Sequence, residues 1–199
     1  MSETSVGIVE RDQGSSFLGH RLLLLPLAWW TLSLGTGAST WCFLDFVNLA
    51  FHEAGHLFLG FGPRTLMFLG GTLAQLAVPF LLVAHFLFRK REPFSAALCV
   101  WWLGENFINI SIYMADARSL TLPLVGGGDH DWNELFFRFG LLGESSVQRV
   151  SASTHALGVL VMLLGLSWAV FFVLPPTRRE RVRMWLTVRW PWLEALLGR

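Results

Sequence analysis

The sequence predicts an all-α polytopic membrane protein with about five transmembrane helices, a short amphipathic helix and an interfacial C-terminal helix. Three observations predict it. Of the 199 residues, 53% are hydrophobic and only 15% are charged, too few charges to coat a soluble domain of this length. The apolar residues fall in runs of about 20, which at 1.5 Å per residue crosses about 30 Å of hydrocarbon. Most of the ten tryptophans lie near the ends of those runs, as in an aromatic belt.

The elements follow in order. Residues 1–16, MSETSVGIVERDQGSS, form a polar N-terminal tail without the basic start, apolar middle and small-residue cleavage site of a signal peptide. The first span runs from about Phe17 to Leu34, with Arg21 near its edge, where it can snorkel. The second covers about Thr40 to Phe61. The third covers about Leu66 to Phe88 and ends at the basic cluster Arg89, Lys90, Arg91. The fourth covers about Phe94 to Ala115. A polar, Gly-rich stretch follows, then WNELFFRFGLL, which is too short and too charged to span. The fifth span covers about Ser151 to Leu174 and stops at Pro175-Pro176, completing a membrane core over 17–174. The remaining segment, 175–199, mixes Arg with Trp and Leu and predicts a helix lying on the headgroups.

Net charge is +1, so nothing points to nucleic acid. Cys42 and Cys99 both fall in apolar segments and predict buried thiols. No internal repeat or second soluble domain is visible. Five spans place the termini on opposite faces. The cluster at Arg89 and the C-terminal arginines favour a cytoplasmic location for their face.

The segment NLAFHEAGHLFLGFG sets two histidines and a glutamate in one of the most apolar parts of the chain. His52, Glu53 and His56 form HExxH. On a helix, residues four apart share a face, so both imidazoles reach one ion with Glu53 beside it. Zn²⁺ accepts neutral imidazole in a tetrahedral site, and a catalytic site keeps one position for water. Ionisable groups inside a membrane segment are costly and usually functional. Asp45, Asn48, His52 and His56 are spaced 3, 4 and 4, a polar stripe facing the bundle interior. These residues predict one Zn²⁺ per chain, with Glu53 as general base and acid.

HEAGH, followed by a helix carrying Gly70-Gly71 in LGGTLAQLAVPF, resembles the site-2 protease family of intramembrane zinc metalloproteases over about residues 40 to 135. The resemblance implies a later membrane segment bearing Asn and the third ligand, Asp, and a motif helix end that faces the cytosol. That last implication conflicts with the basic-residue count. Gly70-Gly71 also suits plain close helix packing.

The third ligand is left open between positions. Glu105, Asn109, Tyr113 and Asp116 form a second stripe, spaced 4, 4 and 3. The family places proline between Asn and Asp and glycine after Asp, whereas no proline separates Asn109 from Asp116 and Ala117 follows. Asp116 ranks first, because no local role is visible for it. Asp131 is the runner-up, since with Glu134 it makes a D-x-x-E capping box. Glu105 is third, and Asp129 and His130 suit a solvated loop. Asp45, Asn48, Glu105, Asn109 and Tyr113 are expected around the cavity. His20, His85 and His155 suit interfacial positions.

Together these features predict a zinc metalloprotease, integral to a membrane such as the bacterial inner (plasma) membrane, cutting membrane-associated proteins or peptides. Membrane lipid surrounds it, and a partner protein can select substrates. The rivals are a non-proteolytic membrane metal hydrolase and a non-enzymatic subunit with a structural metal or polar helix bridges.

Overall fold

The computed structural model describes residues 3–125 and 128–190, with side chains from residue 19 onward. Among these the chain is all-α. Seven α-helices follow in order: α1 (Glu3–Gly35), α2 (Asp45–Leu59), α3 (Arg64–Ala84), α4 (Pro93–Ala115), α5 (Asp131–Arg138), α6 (Glu144–Val173) and α7 (Pro176–Arg189). A π-turn over His85–Lys90 extends α3. α1 begins at Glu3, so the polar N-terminal segment continues the first apolar helix.

Among the described residues two helices, Arg64–Lys90 and Glu144–Val173, are long and apolar enough to cross a membrane. The expected second span is shorter than predicted. α2 has 15 residues, about 22 Å at 1.5 Å per residue, which falls short of the hydrocarbon thickness. Ser39 to Leu44 do not join it, because the chain turns there: the Asp45 carboxylate accepts the Cys42 backbone N–H at 2.7 Å.

α4 and α6 form the centre, and glycine is the reason they approach so closely. A Cβ at Gly104 would collide with Met162, one at Gly158 with Ile108, and one at Gly165 with the Trp101 backbone. α1 packs on this pair, with the Trp101 indole N–H donating to Thr31 Oγ1 at 2.8 Å. Cys42 is wholly buried beside Trp101, Ile108 and Met162. Both cysteines are buried free thiols. A second cluster of Ile110, Met114, Ala117, Phe136 and Val147 seats α5 on the end of α4.

The ends of the helices sort into two groups. At one end, His20 stacks on Phe94 at 4.2 Å and an Arg21 Nη donates to the Val173 carbonyl at 3.4 Å. The α3–α4 connection and the start of α7 lie at this end. At the other, His155 contacts the Gly35 carbonyl at 3.3 Å and Ser111 Oγ at 3.4 Å, and Arg118 pairs with Glu144 at 3.2 Å. α1 and α7 therefore leave from the same end, which corrects the expectation of opposite faces. The physical reason is α2. Its C-terminus meets the start of α3 at the end that α1 has just reached, so it does not carry the chain to the opposite end of the bundle.

Candidate metal centre

α2 lies across α3 because Gly55 and Gly70 let the two backbones touch. Gly71 presents no side chain beneath His52, and a Cβ there would collide with the imidazole. The glycine pair thus packs the helices closely and also makes room for a histidine ring.

Both rings are held from behind. His52 Nδ1 lies 3.4 Å from Gln75 Oε1, and His56 Nδ1 lies 2.8 Å from the Met67 carbonyl. Both acceptors are carbonyl oxygens, so each Nδ1 carries the proton and each Nε2 presents its lone pair. The two Nε2 atoms are 3.1 Å apart. Asp131 Oδ2 completes the triangle, 2.9 Å from His52 Nε2 and 3.2 Å from His56 Nε2. Three electron-rich atoms this close repel one another unless a positive charge lies among them. Donors around a tetrahedral zinc, at about 2.05 Å from the metal, sit about 3.3 Å from each other. His52, His56 and Asp131 can therefore hold a metal ion.

The structure puts the runner-up carboxylate, not Asp116, beside the histidines. Asp116 lies at the end of α4, but its own loop consumes it. Its Oδ1 accepts Ser119 Oγ at 2.6 Å, Thr121 N–H at 2.9 Å and Thr121 Oγ1 at 2.7 Å. Its Oδ2 accepts Leu122 N–H at 3.0 Å. Burial alone would raise its pKa, but these hydrogen bonds outweigh burial and hold the carboxyl well below the usual range.

Asp131 is free because another residue caps α5. The expected D-x-x-E box does not form: the N-cap is His130, whose Nδ1 accepts the Asn133 backbone N–H at 3.2 Å. His130 is therefore no solvated loop residue. It is 5% exposed, its ring lies against Tyr113 at 4.2 Å, and Nε2 faces Asp116 Oδ2 at 3.4 Å without the alignment of a hydrogen bond. Burial lowers its pKa despite the nearby Asp116 and Asp131 carboxylates, which suits a neutral ring accepting at Nδ1. Tyr113 Oη accepts the Asp131 backbone N–H at 3.2 Å, and Asn133 Nδ2 donates to the Ala117 carbonyl at 2.6 Å. These ties fix the approach of Asp131.

The remaining polar residues form the wall behind the site. Gln75 Nε2 donates to Asn109 Oδ1 and Asn109 Nδ2 donates to Asp45 Oδ1, each at 2.8 Å. Asn48 Nδ2 donates to both Glu105 oxygens at 2.9 and 3.2 Å, and Trp102 Nε1 donates to Asn48 Oδ1 at 2.8 Å. Glu105 is thus engaged by Asn48 and is no ligand. Gln75 escaped the sequence reading, although a glutamine in the apolar run LAQLAVPF is the same signal that singled out Asn48.

Glu53 makes no hydrogen bond among the described residues. It lines a cavity of about 310 Å³ together with His52, His56, Tyr113 and Asp131. A second cavity of about 380 Å³ runs from Glu53 along Asp45 and Asn109 to Trp41. Leu124 and Val125 border both, so open space reaches Glu53 from two sides. No family model, curated protein or solved structure matches the chain.

Proposed function

We propose that this chain is an intramembrane zinc metalloprotease that hydrolyses peptide bonds of membrane-associated substrates, a divergent relative of the site-2 proteases. The observation that carries it is the convergence of His52 Nε2, His56 Nε2 and Asp131 Oδ2 within 3.2 Å, with Glu53, a carboxylate without a hydrogen bond among the described residues, on the same cavity. Three protein ligands with one position for water favour catalysis over a structural metal, which takes four. A zinc ion held there supplies Lewis acidity, polarising a carbonyl and acidifying water. Glu53 accepts the proton of the attacking water and delivers it to the leaving amine nitrogen. Tyr113 and the α4–α5 loop hold the Asp131 carboxylate against the imidazoles.

Membrane embedding is supported by the apolar exterior. Trp29, Leu32, Phe80, Leu160 and Leu164 are each more than half exposed on long helices, a surface that suits lipid and not water. On this reading α1, α3, α4 and α6 cross and α2 is held within the bundle. Short helices at membrane depth are tolerated where protein or a polar cavity surrounds them. The test is zinc content and cleavage of a membrane-anchored reporter by purified protein. Glu53→Gln should keep zinc and lose activity 100-fold or more, and His52→Ala should lose both. Folded, active protein without metal would sink the proposal.

A further inference from the structure

The two ends of the bundle carry different charge. One end gathers Arg21, the run Arg89, Lys90 and Arg91, and the five arginines of α7. The other carries Arg64, Arg118, Arg138 and Arg149. The sequence already sets the Arg89 cluster and the C-terminal arginines on one face; it could not add Arg21 to them, because it assigned the starts of α1 and α7 to opposite faces. The contacts of Arg21 with Val173 and of His20 with Phe94 bring them together. The comparison is then nine basic residues against four among the described side chains. Both basic groups adjoin helix ends through short connections, where the positive-inside bias acts.

His52, His56 and Asp131 sit toward the less basic end. His56 is tied to Met67 near the start of α3, and Asp131 is tied to the end of α4. The cavity is lined at its rim by Gly60, Gly128 and Asp129, all in connections at that end.

We infer that the metal centre opens to the non-cytoplasmic face of the membrane, so that its substrates are polypeptide segments presented at that face. This rests on the membrane reading above and runs against the orientation that the site-2 protease resemblance implies. It follows the basic-residue count and sets aside the cytosolic motif end that the resemblance implies. α7 and the Arg89 cluster lie against the anionic cytoplasmic leaflet, where each basic residue interacts favourably with lipid phosphate.

The experiment is single-cysteine labelling of the full chain in intact bacterial cells with a membrane-impermeant maleimide. The native thiols are buried, Cys42 at 0% and Cys99 at 8% exposure, and unsubstituted protein gives the background. Gly128→Cys reports the cavity rim, where an added Cβ meets nothing within 4 Å. Ser145→Cys reports the same end on an exposed helix start, and Thr177→Cys reports the basic end. The expected result is labelling of Gly128→Cys and Ser145→Cys in intact cells, and of Thr177→Cys only after lysis. The reverse pattern overturns the orientation and leaves the membrane reading intact. Labelling of both ends from outside overturns the proposal and the four-crossing topology together. Protein released from membranes by alkaline carbonate defeats the membrane reading itself.

Discussion

Asp116 and Asp131 stand at the two ends of one loop, equally buried at 6% exposure, and they do opposite things. The Asp116 carboxylate accepts four hydrogen bonds from residues three to six positions onward. Asp131 has its carboxylate left for His52 and His56. A carboxylate saturated by its own loop becomes a hinge pin, and one relieved of local duty becomes a ligand. What relieves Asp131 is His130, which takes over the cap.

The largest effect expected from breaking this contrast is at Asp131. Asp131→Ala removes a donor atom but no cap, so the protein should stay folded and lose zinc as completely as His52→Ala. Equilibrium dialysis beside a helical circular-dichroism spectrum checks this. If Asp131→Ala unfolds α5 and keeps zinc, the carboxylate is structural.

Asp116→Ala comes next. It frees Ser119, Thr121 and Leu122 and loosens the path that delivers Asp131. Asp116 bonds no ligand directly, so its loss should cost about 10-fold in metal affinity, the low end of the range for a group that does. Zinc titration should therefore show weakened binding that is not abolished. Loss as complete as that of Asp131→Ala would make Asp116 a ligand after all.

This contrast also marks what the sequence could disclose. The HExxH pair, the base and the polar stripes are properties of one helix, so spacing alone displays them. The all-α class follows likewise from the apolar runs. Asp116 looked unengaged because its partners are backbone N–H groups and hydroxyls of SLTL, which no periodicity reveals. Asp131 looked engaged because D-x-x-E names a cap, and a buried histidine one position earlier took that place. The length of α2 was hidden for a similar reason. Thr40 to Phe61 is apolar outside its polar stripe and Glu53, but a turn closed by Asp45 on Cys42 stops the helix from using all of it.

Glycine offers a separable effect. Gly158→Ala over-packs α4 against α6, a change worth about 1–3 kcal/mol of stability, without touching the metal ligands. Gly71→Ala pushes a methyl into the His52 ring. The first should lower the melting temperature and leave zinc affinity below that temperature unchanged. The second should weaken zinc by about tenfold, at the low end for an outer-shell change. Equal loss of zinc in both would mean that Gly71, like Gly158, serves only to pack helices.

The smallest effect is expected at Gln75. Its Oε1 is 3.4 Å from His52 Nδ1, a long contact, whereas the carbonyl behind His56 is at 2.8 Å. The His56 tautomer is therefore held firmly and the His52 tautomer loosely. His52 is still oriented by the helix and by the absence of a side chain at Gly71. Gln75→Leu removes the acceptor and also leaves the Asn109 carbonyl oxygen without its donor. The first change frees the imidazole to exchange tautomers, so part of the population presents N–H in place of a lone pair to the metal. If half the rings were so lost, affinity would fall only about twofold. Gln75→Glu should restore binding, because a carboxylate accepts the Nδ1 proton at least as well. A drop in Gln75→Leu as deep as that of Asp116→Ala, not rescued by Gln75→Glu, would show that Gln75 acts through Asn109 and Asp45 and not through His52.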